Sequence, residues 1–273
     1  MSAGAAVWDL PALDVTRSNV ARVYDYLLGG KDNFEADRAE AERLLAIYPP
    51  IARLVRENRA FLARAVTWLA RQGVRQFLDI GSGLPAAGNT HQVARAVDAS
   101  CRVVYVDNDP VVVSHASALL AEDGVAAIGA DMRDPATILG HLATRTLIRP
   151  GEPTALILGM VLHLFDASTA ARIAAAFTAW LPPGSYAVVS VGLADPELGE
   201  ALADEYTAAP VFNHTPEQAA GFFSGLDLVP PGLVDASDWK PGIPGRPSVP
   251  RRSQVVAGVG HKPSLYEVIP RDP

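Results

Sequence analysis

Between residues 76 and 191 the chain alternates short apolar runs rich in β-branched residues with segments of helical period, and few folds accommodate that alternation. The strand-like runs are Gln76–Ile80, Arg102–Val106, Val125–Gly129, Thr154–Gly159 and Ser185–Val191. Helical segments near Asn89–Val97, Pro110–Ala121, Pro135–Ala143 and Ser168–Leu181 separate them. Each strand returns to the sheet through a helix, so neighbouring strands are expected to be parallel, with right-handed crossovers and helices on both faces. Two further runs, Leu226–Val229 and Gln254–Val259, are joined by a loop carrying Pro230, Pro231, Pro241, Pro244, Pro247 and Pro250. A long connection of that kind leads into an antiparallel final strand and is placed to cover a site. The expectation is a doubly wound α/β fold with a mostly parallel seven-stranded sheet.

The first 75 residues read differently. Val20, Val23, Tyr24, Leu27 and Leu28 recur at helical spacing after the possible cap Ser18, and Gly29-Gly30 supply a stop. A second helix is expected from about Phe34 to Ile47, ended by Pro49-Pro50, and a third from Ile51 to Arg71. The division is therefore a helical cap over residues 1–75 and a core over 76–273. The core is expected to carry a helical insertion near 195–213 and the proline-rich loop at 230–252.

At 273 residues the chain suits one sizeable core domain. Its single cysteine, Cys101, has no partner within the chain, which suits a reducing cytoplasm. No stretch approaches the roughly 18 apolar residues of a membrane helix, and the N-terminus lacks a basic segment leading into an apolar run. A net charge of −7 repels phosphate backbones and argues against nucleic acid. A small-molecule substrate fits better, and neither nucleic acid nor membrane is expected as a partner.

In an open parallel sheet the ligand lies beyond the carboxyl ends of the strands, so each end is informative. The first strand runs into Asp79-Ile80-Gly81-Ser82-Gly83-Leu84-Pro85. A glycine-rich loop there serves a dinucleotide pyrophosphate, a nucleotide phosphate or the amino-acid end of S-adenosylmethionine. The carboxylate two places before the first glycine has no pyrophosphate use, whereas beside an ammonium or a water it does. Asn89 and Gln92 have capping-box spacing, so the next helix starts either there, too far from the loop for the usual pyrophosphate contact, or at Pro85. The second strand ends in Asp107-Asn108-Asp109, where Asp107 is suited to both ribose hydroxyls; this excludes a 2′-phosphate but not NAD. The third ends in Asp131-Met132, an acid and an apolar contact suited to adenine. The fourth ends in Gly159-Met160-Val161-Leu162-His163, with apolar residues to wall a reacting centre.

These four strand ends, over residues 76–191, resemble the class I S-adenosylmethionine-dependent methyltransferases. A narrower resemblance spans nearly the whole chain. The segment from Ser18 to Phe34, SNVARVYDYLLGGKDNF, with FLDIGSGLP, GNTH and VLHLF downstream, is similar to an actinobacterial family of S-adenosyl methyltransferases formerly listed as a domain of unknown function. Pro85 stands where many class I enzymes carry the last glycine of the loop. The resemblance implies a Rossmann-like core binding S-adenosyl-L-methionine, with S-adenosyl-L-homocysteine as product. The cofactor candidates are Asp79, Gly81, Ser82, Gly83, Leu84, Asp107, Asn108, Asp131, Met132 and Gly159. Tyr24, Gly30, Lys31 and Asn33 are added from the cap, which is well placed to close the site.

His163 is the candidate general base, although a histidine in an apolar run more often packs with one satisfied nitrogen. His91 has the same two readings. Tyr206, His214, Trp239 and Arg246 are candidates for a substrate wall. No cluster has metal-ligand spacing, so no metal is expected, and Gly81-Ser82-Gly83 lacks the spacing of a nucleophile elbow. Methyl transfer from an activated sulfonium needs mainly positioning and exclusion of water, so the absence of an obvious base does not count against it. Two rivals stand beside it. An NAD-dependent oxidoreductase would need a hydride-transfer constellation such as Tyr-x-x-x-Lys, which is not found. A non-catalytic S-adenosylmethionine sensor would lack an open second cavity facing the methyl group.

Overall fold

The computed structural model describes residues 14–86, 88–119, 123–242 and 253–263. Three helices come first: α1 (Val20–Leu28), α2 (Glu35–Ile47) and α3 (Ile51–Arg71). Then strands and helices alternate as β1 (Gln76–Ile80), α4 (Thr90–Arg95), β2 (Arg102–Asp107), α5 (Pro110–Leu119), β3 (Val125–Gly129), α6 (Pro135–Gly140), α7 (Leu142–Leu147), β4 (Thr154–Gly159), α8 (Ala167–Trp180) and β5 (Tyr186–Ala194). After β5 come α9 (Pro196–Glu205), α10 (Pro216–Gly221), β6 (Asp227–Leu228), β7 (Val234–Asp235) and β8 (Ser253–His261).

The sheet runs β3-β2-β1-β4-β5-β8-β6, with β7 also on β8. The first five strands in the chain pair in parallel, and β8 runs antiparallel to β5. Strand register sets Ile80 level with Val106 and Leu158, so the loops after β1, β2 and β4 leave from one edge. The chain builds outward from β1 to β3 and then returns to β4 on the other side of β1. The switch point thus lies between β1 and β4, where such sheets open a crevice.

Among the described residues eight strands replace the expected seven, because two short strands share the outer edge of β8. β6 pairs with Gly260 and His261, and β7 pairs with Val256 and Ala257. Pro230-Pro231 lies between them and has no N–H groups to continue a ladder. The helix expected over Pro135–Ala143 is likewise two helices. His141 turns extended between them, and its Nδ1 accepts the Ala143 N–H at 3.1 Å to cap α7. α10 and β7 were not expected at all; each is too short to show a period.

Both faces of the sheet are buried, which is why its strands read as continuous apolar runs. Phe77, Val103, Tyr105, Ala155, Ile157 and Val188 face α3, α4 and α5. Leu78, Val104, Leu156, Leu158 and Val189 face α6 and α8. α3 brings Leu54, Phe61, Ala65 and Leu69, spaced on one helical face, into the first of these layers. Phe61 is fully buried and stands edge-on to Trp239 at 5.3 Å between ring centroids. Phe61→Ala is expected to lower unfolding free energy by about 3–5 kcal/mol through lost burial and the residual cavity. Urea denaturation followed by circular dichroism measures it.

Candidate active site

Beyond the switch point opens a cleft of about 400 Å3, within the range of small-ligand sites. Its floor is the loop after β1. Gly81 has φ +68, and a Cβ there would lie 2.4 Å from Val161 Cγ1, so both backbone and space demand glycine. Gly83 has φ +66 and open space where a Cβ would stand. The Gly83 N–H donates to Asp107 Oδ2 at 2.9 Å, and the Asp109 N–H to Asp107 Oδ1 at 3.0 Å. These bonds aim the Asp107 carboxylate from the end of β2 across the loop. Burial pushes its pKa up, while the backbone donors oppose the rise. Ser82, Asn108 and Asp109 line the same stretch.

Asp79, at the end of β1, accepts the Thr90 hydroxyl at 2.7 Å from the first turn of α4. Burial raises its pKa to about 6, and the Arg59 guanidinium on α3 partly offsets this. Arg59 lines the cleft, and its Nη2 is buried with no hydrogen-bond partner. Asp79 and Arg59 thus present an acid and an unsatisfied cation at one end of the cleft, a match for the ammonium and carboxylate of an amino acid. Arg59 was not legible in the sequence, since it is one of several arginines on an amphipathic helix. The helix after the loop starts from Asn89, which settles the alternatives in that sense: Asn89 N–H donates to Gln92 Oε1 at 3.1 Å, and Asn89 Oδ1 accepts from Ala86 N–H at 2.9 Å.

Asp131 and Met132 line the far wall. The Asp131 carboxylate is chelated by Arg133, whose Nε lies 3.0 Å from Oδ1 and 2.9 Å from Oδ2, and this lowers its pKa. Gly159 also lines the cleft, and a Cβ there would come within 3.0 Å of Leu62, so this glycine admits α3. Leu84 is placed otherwise than expected. It is buried with Val111, Val112 and Ala21, fastening the loop to α5 and α1, and does not line the cleft.

The cap segment is mostly architecture. Asn19 caps α1, and its N–H donates to Asp37 Oδ1 at 2.9 Å. Asp37 Oδ2 takes Arg22 Nε at 2.9 Å and the Phe34 N–H at 2.8 Å, a fully buried ion pair with its hydrogen bonds completed. Asp25 Oδ2 accepts from the Asp32 N–H and from Asn33 Nδ2, and a Cβ on Gly30 would lie 1.9 Å from Asp25 Oδ1. Gly30 and Asn33 therefore shape the α1–α2 turn, Lys31 is exposed, and none of the three lines the cleft. Tyr24 does line it, together with Asn19, Val20 and Ala21.

A second cavity, about 150 Å3, adjoins the first, and the two share Val20, Tyr24, Met160 and Leu164. Met160, at the end of β4, has φ +57, and among the described residues it alone holds a positive φ without being glycine. Its N–H donates to both the carbonyl and the hydroxyl oxygen of Ser190. The Ser190 hydroxyl donates to Asn58 Oδ1 at 2.7 Å, and Asn58 Nδ2 donates to the Tyr24 hydroxyl at 2.9 Å. The Tyr24 hydroxyl donates in turn to the Val55 carbonyl at 3.3 Å. His163 and Tyr206 line this second cavity. The His163 Nδ1 is buried without a partner, and burial together with nearby His214 lowers its pKa to about 4.

The remaining candidates pack. His91 meets the Tyr105 hydroxyl through its N–H and its Nδ1, both at 2.8 Å. His214 is buried, with Nε2 3.1 Å from the Leu162 carbonyl and its ring against Phe222. Trp239, expected at a substrate wall, is fully buried between Phe61 and Trp68. Its run of polar and proline neighbours hid an apolar anchor. Arg246 lies outside the described residues.

The family model of the S-adenosyl methyltransferases matches residues 7–263, and the chain belongs to that family. A crystal structure from Thermobifida fusca YX superposes with a TM-score of 0.84 at 40% identity, covering 95% of this chain and 100% of that one. A DUF574 family protein from Streptomyces avermitilis MA-4680 gives a TM-score of 0.84 at 37% identity, covering 92% of this chain and 99% of that one. Among curated proteins none matches.

The raised pKa of Asp79 gives a signed pH dependence for an ammonium-bearing ligand. The ligand needs the carboxylate, so affinity is expected to fall by up to about tenfold per unit as pH drops below about 6. In the ligand-free protein the sign is opposite: Asp79's contribution to stability is present below the ordinary 3.8 and is lost as pH rises through about 6. Calorimetric titration with S-adenosylhomocysteine from pH 5 to 8 reads the first effect. Asp79→Asn should flatten the curve, and an unaltered slope in that variant would remove Asp79 from the assignment.

Proposed function

We propose that this methyltransferase transfers the methyl group of S-adenosylmethionine in line to a small molecule held in the second cavity. The observation that carries this reading is the seam: the polar cleft and the apolar cavity meet at Met160, Tyr24, Val20 and Leu164. When bound, the cofactor supplies an electrophilic methyl group on a sulfonium and leaves as S-adenosylhomocysteine.

The residues divide the work by chemistry. Asp79 takes the ammonium and Arg59 the carboxylate of the amino-acid end, which gives the buried guanidinium its missing partner. Gly81, Ser82 and Gly83 let the backbone approach closely. Asp107 accepts from the ribose hydroxyls with the lone pairs its two backbone donors leave free, and Asn108 lies alongside. Met132 packs on the base, and Asp131 accepts from its amino group while held by Arg133. Met160 and Tyr24 separate the two compartments and exclude water. His163, neutral at pH 7, takes a proton from the acceptor in this reading.

Titration with S-adenosylmethionine, S-adenosylhomocysteine and NAD in parallel tests the cleft. The first two are expected to bind at micromolar concentrations and NAD not at all; NAD binding alone would move the protein to hydride chemistry. Asp107→Ala removes two charge-assisted hydrogen bonds, so S-adenosylhomocysteine affinity should fall by about 100-fold or more while circular dichroism keeps its shape. Undiminished affinity would take Asp107 off the ribose.

A further inference from the structure

The second cavity is unusual in its chemistry: among the described residues no Asp, Glu, Lys or Arg lines it. Its walls are aliphatic and aromatic, among them Val23, Leu27, Leu54, Leu193, Leu202 and Phe212. A carboxylate, phosphate or ammonium entering it would lose its hydration without a counter-charge, a cost no apolar contact repays. Walls of this kind suit an uncharged acceptor. A cavity of about 150 Å3 is also small, the size at which an apolar void holds a single benzene ring.

The polar atoms on its walls narrow the class further. The Tyr24 hydroxyl is satisfied by Asn58 and the Val55 carbonyl. Asn213 is spent on the backbone of Ala194, accepting its N–H and donating to its carbonyl. The Ser253 hydroxyl donates to the Leu193 carbonyl. Two buried atoms on these walls have no partner, His163 Nδ1 and Gln254 Oε1. Buried polar groups in folded proteins are paired, so an orphan on a cavity wall marks where a ligand group belongs. Both orphans can accept, the imidazole nitrogen in the tautomer that carries its proton on Nε2 and the amide oxygen in any case. A ligand that answers them brings donors, and hydroxyl groups do so without charge.

Resting on the methyltransferase reading of the cleft, we propose that the acceptor is an uncharged, single-ring phenol whose reacting hydroxyl faces His163 Nδ1, with a second hydroxyl on the ring donating to Gln254. In the reaction the phenol oxygen forms a bond to the methyl carbon as the carbon–sulfur pair returns to sulfur. The phenol proton passes to His163 Nδ1 and then to water. Burial lowers the basicity of His163, which favours a phenol over an aliphatic alcohol, whose proton is held far more tightly.

The test is calorimetric titration of the full-length protein saturated with S-adenosylhomocysteine, using 4-methylphenol, hydroquinone, 4-hydroxybenzoate and cyclohexanol as probes. Hydroquinone should bind most tightly, 4-methylphenol about fivefold to tenfold more weakly, and 4-hydroxybenzoate and cyclohexanol at least 30-fold more weakly than hydroquinone. Gln254→Leu should erase the preference for hydroquinone and leave 4-methylphenol unchanged, with Gln254→Asn as the second variant where leucine disturbs folding. Binding of 4-hydroxybenzoate as tight as that of 4-methylphenol would overturn the proposal, as would an unchanged hydroquinone preference in both variants. S-adenosylhomocysteine binding with no phenol bound would sink the phenol assignment and leave the cleft reading standing. Failure of S-adenosylhomocysteine to bind would sink the cleft reading, and the same phenol series on the ligand-free protein would then judge the cavity by itself.

Discussion

The place of the cap over the sheet rests on one buried chain of hydrogen bonds, from Met160 through Ser190 and Asn58 to Tyr24. Asn58 and Ser190 are essentially without solvent contact, so each polar atom in the chain must be answered inside the protein. The amide of Asn58 does this in two directions, accepting from β5 and donating to α1. A shift of α1 relative to the sheet would strand that amide, and α1 is therefore fixed where it forms one wall of the cleft. The same chain holds the Met160 N–H against Ser190, which stabilises a backbone conformation that side-chain-bearing residues avoid. Cap placement and the wall between the two cavities are one arrangement.

The cleft carries its own electrostatic tension. Asp79, Asp107 and Asp109 converge at adjoining strand ends, and burial raises the pKa of the first two. Asp109 Oδ2 and Arg59 Nη2 are buried and unpartnered. A site in this state favours a ligand that brings a positive group, a negative group and hydroxyls together. The amino acid and ribose of S-adenosylmethionine supply all three, which is what supports the proposed assignment of these residues to the family's cofactor.

The sheet was legible because its strands are buried on both faces and its helices are long enough to show a period. Gln76–Ile80, Val125–Gly129 and Thr154–Gly159 have the bounds read from the sequence. The two-residue β7, the six-residue α10 and the break at His141 offered no period or flanking apolar run to read, so they went unseen. At the site, glycines and acids after strands were readable as residue types in order. The cap segment was misread in part for a physical reason. Polar residues after a pair of glycines look the same whether they face a ligand or fold back on a helix end, and only Asp25 and Asp37, whose partners lie 3–18 residues away, decide between the two. Arg59 and Gln254 were missed because what distinguishes them is an unmatched buried atom, a property of packing that no spacing encodes.

On the proposed reading, the contrast between the compartments also explains how a poorly basic histidine serves. An imidazole protonated beforehand would place a positive charge on a cavity wall that has no charged side chain among the described residues, next to the sulfonium the cofactor would bring, and burial prevents this by holding His163 neutral at pH 7. During transfer the balance changes. Positive charge disappears from sulfur as a proton leaves the acceptor oxygen, so a proton received by His163 restores a charge that the site had already accommodated. The total charge within the site is the same before and after transfer, and His163 need only be more basic than the acceptor oxygen as its bond to carbon forms. On the proposed reading the apolar walls set this condition: they hold the acceptor against the buried, unpartnered Nδ1 of His163, and that nitrogen receives the proton.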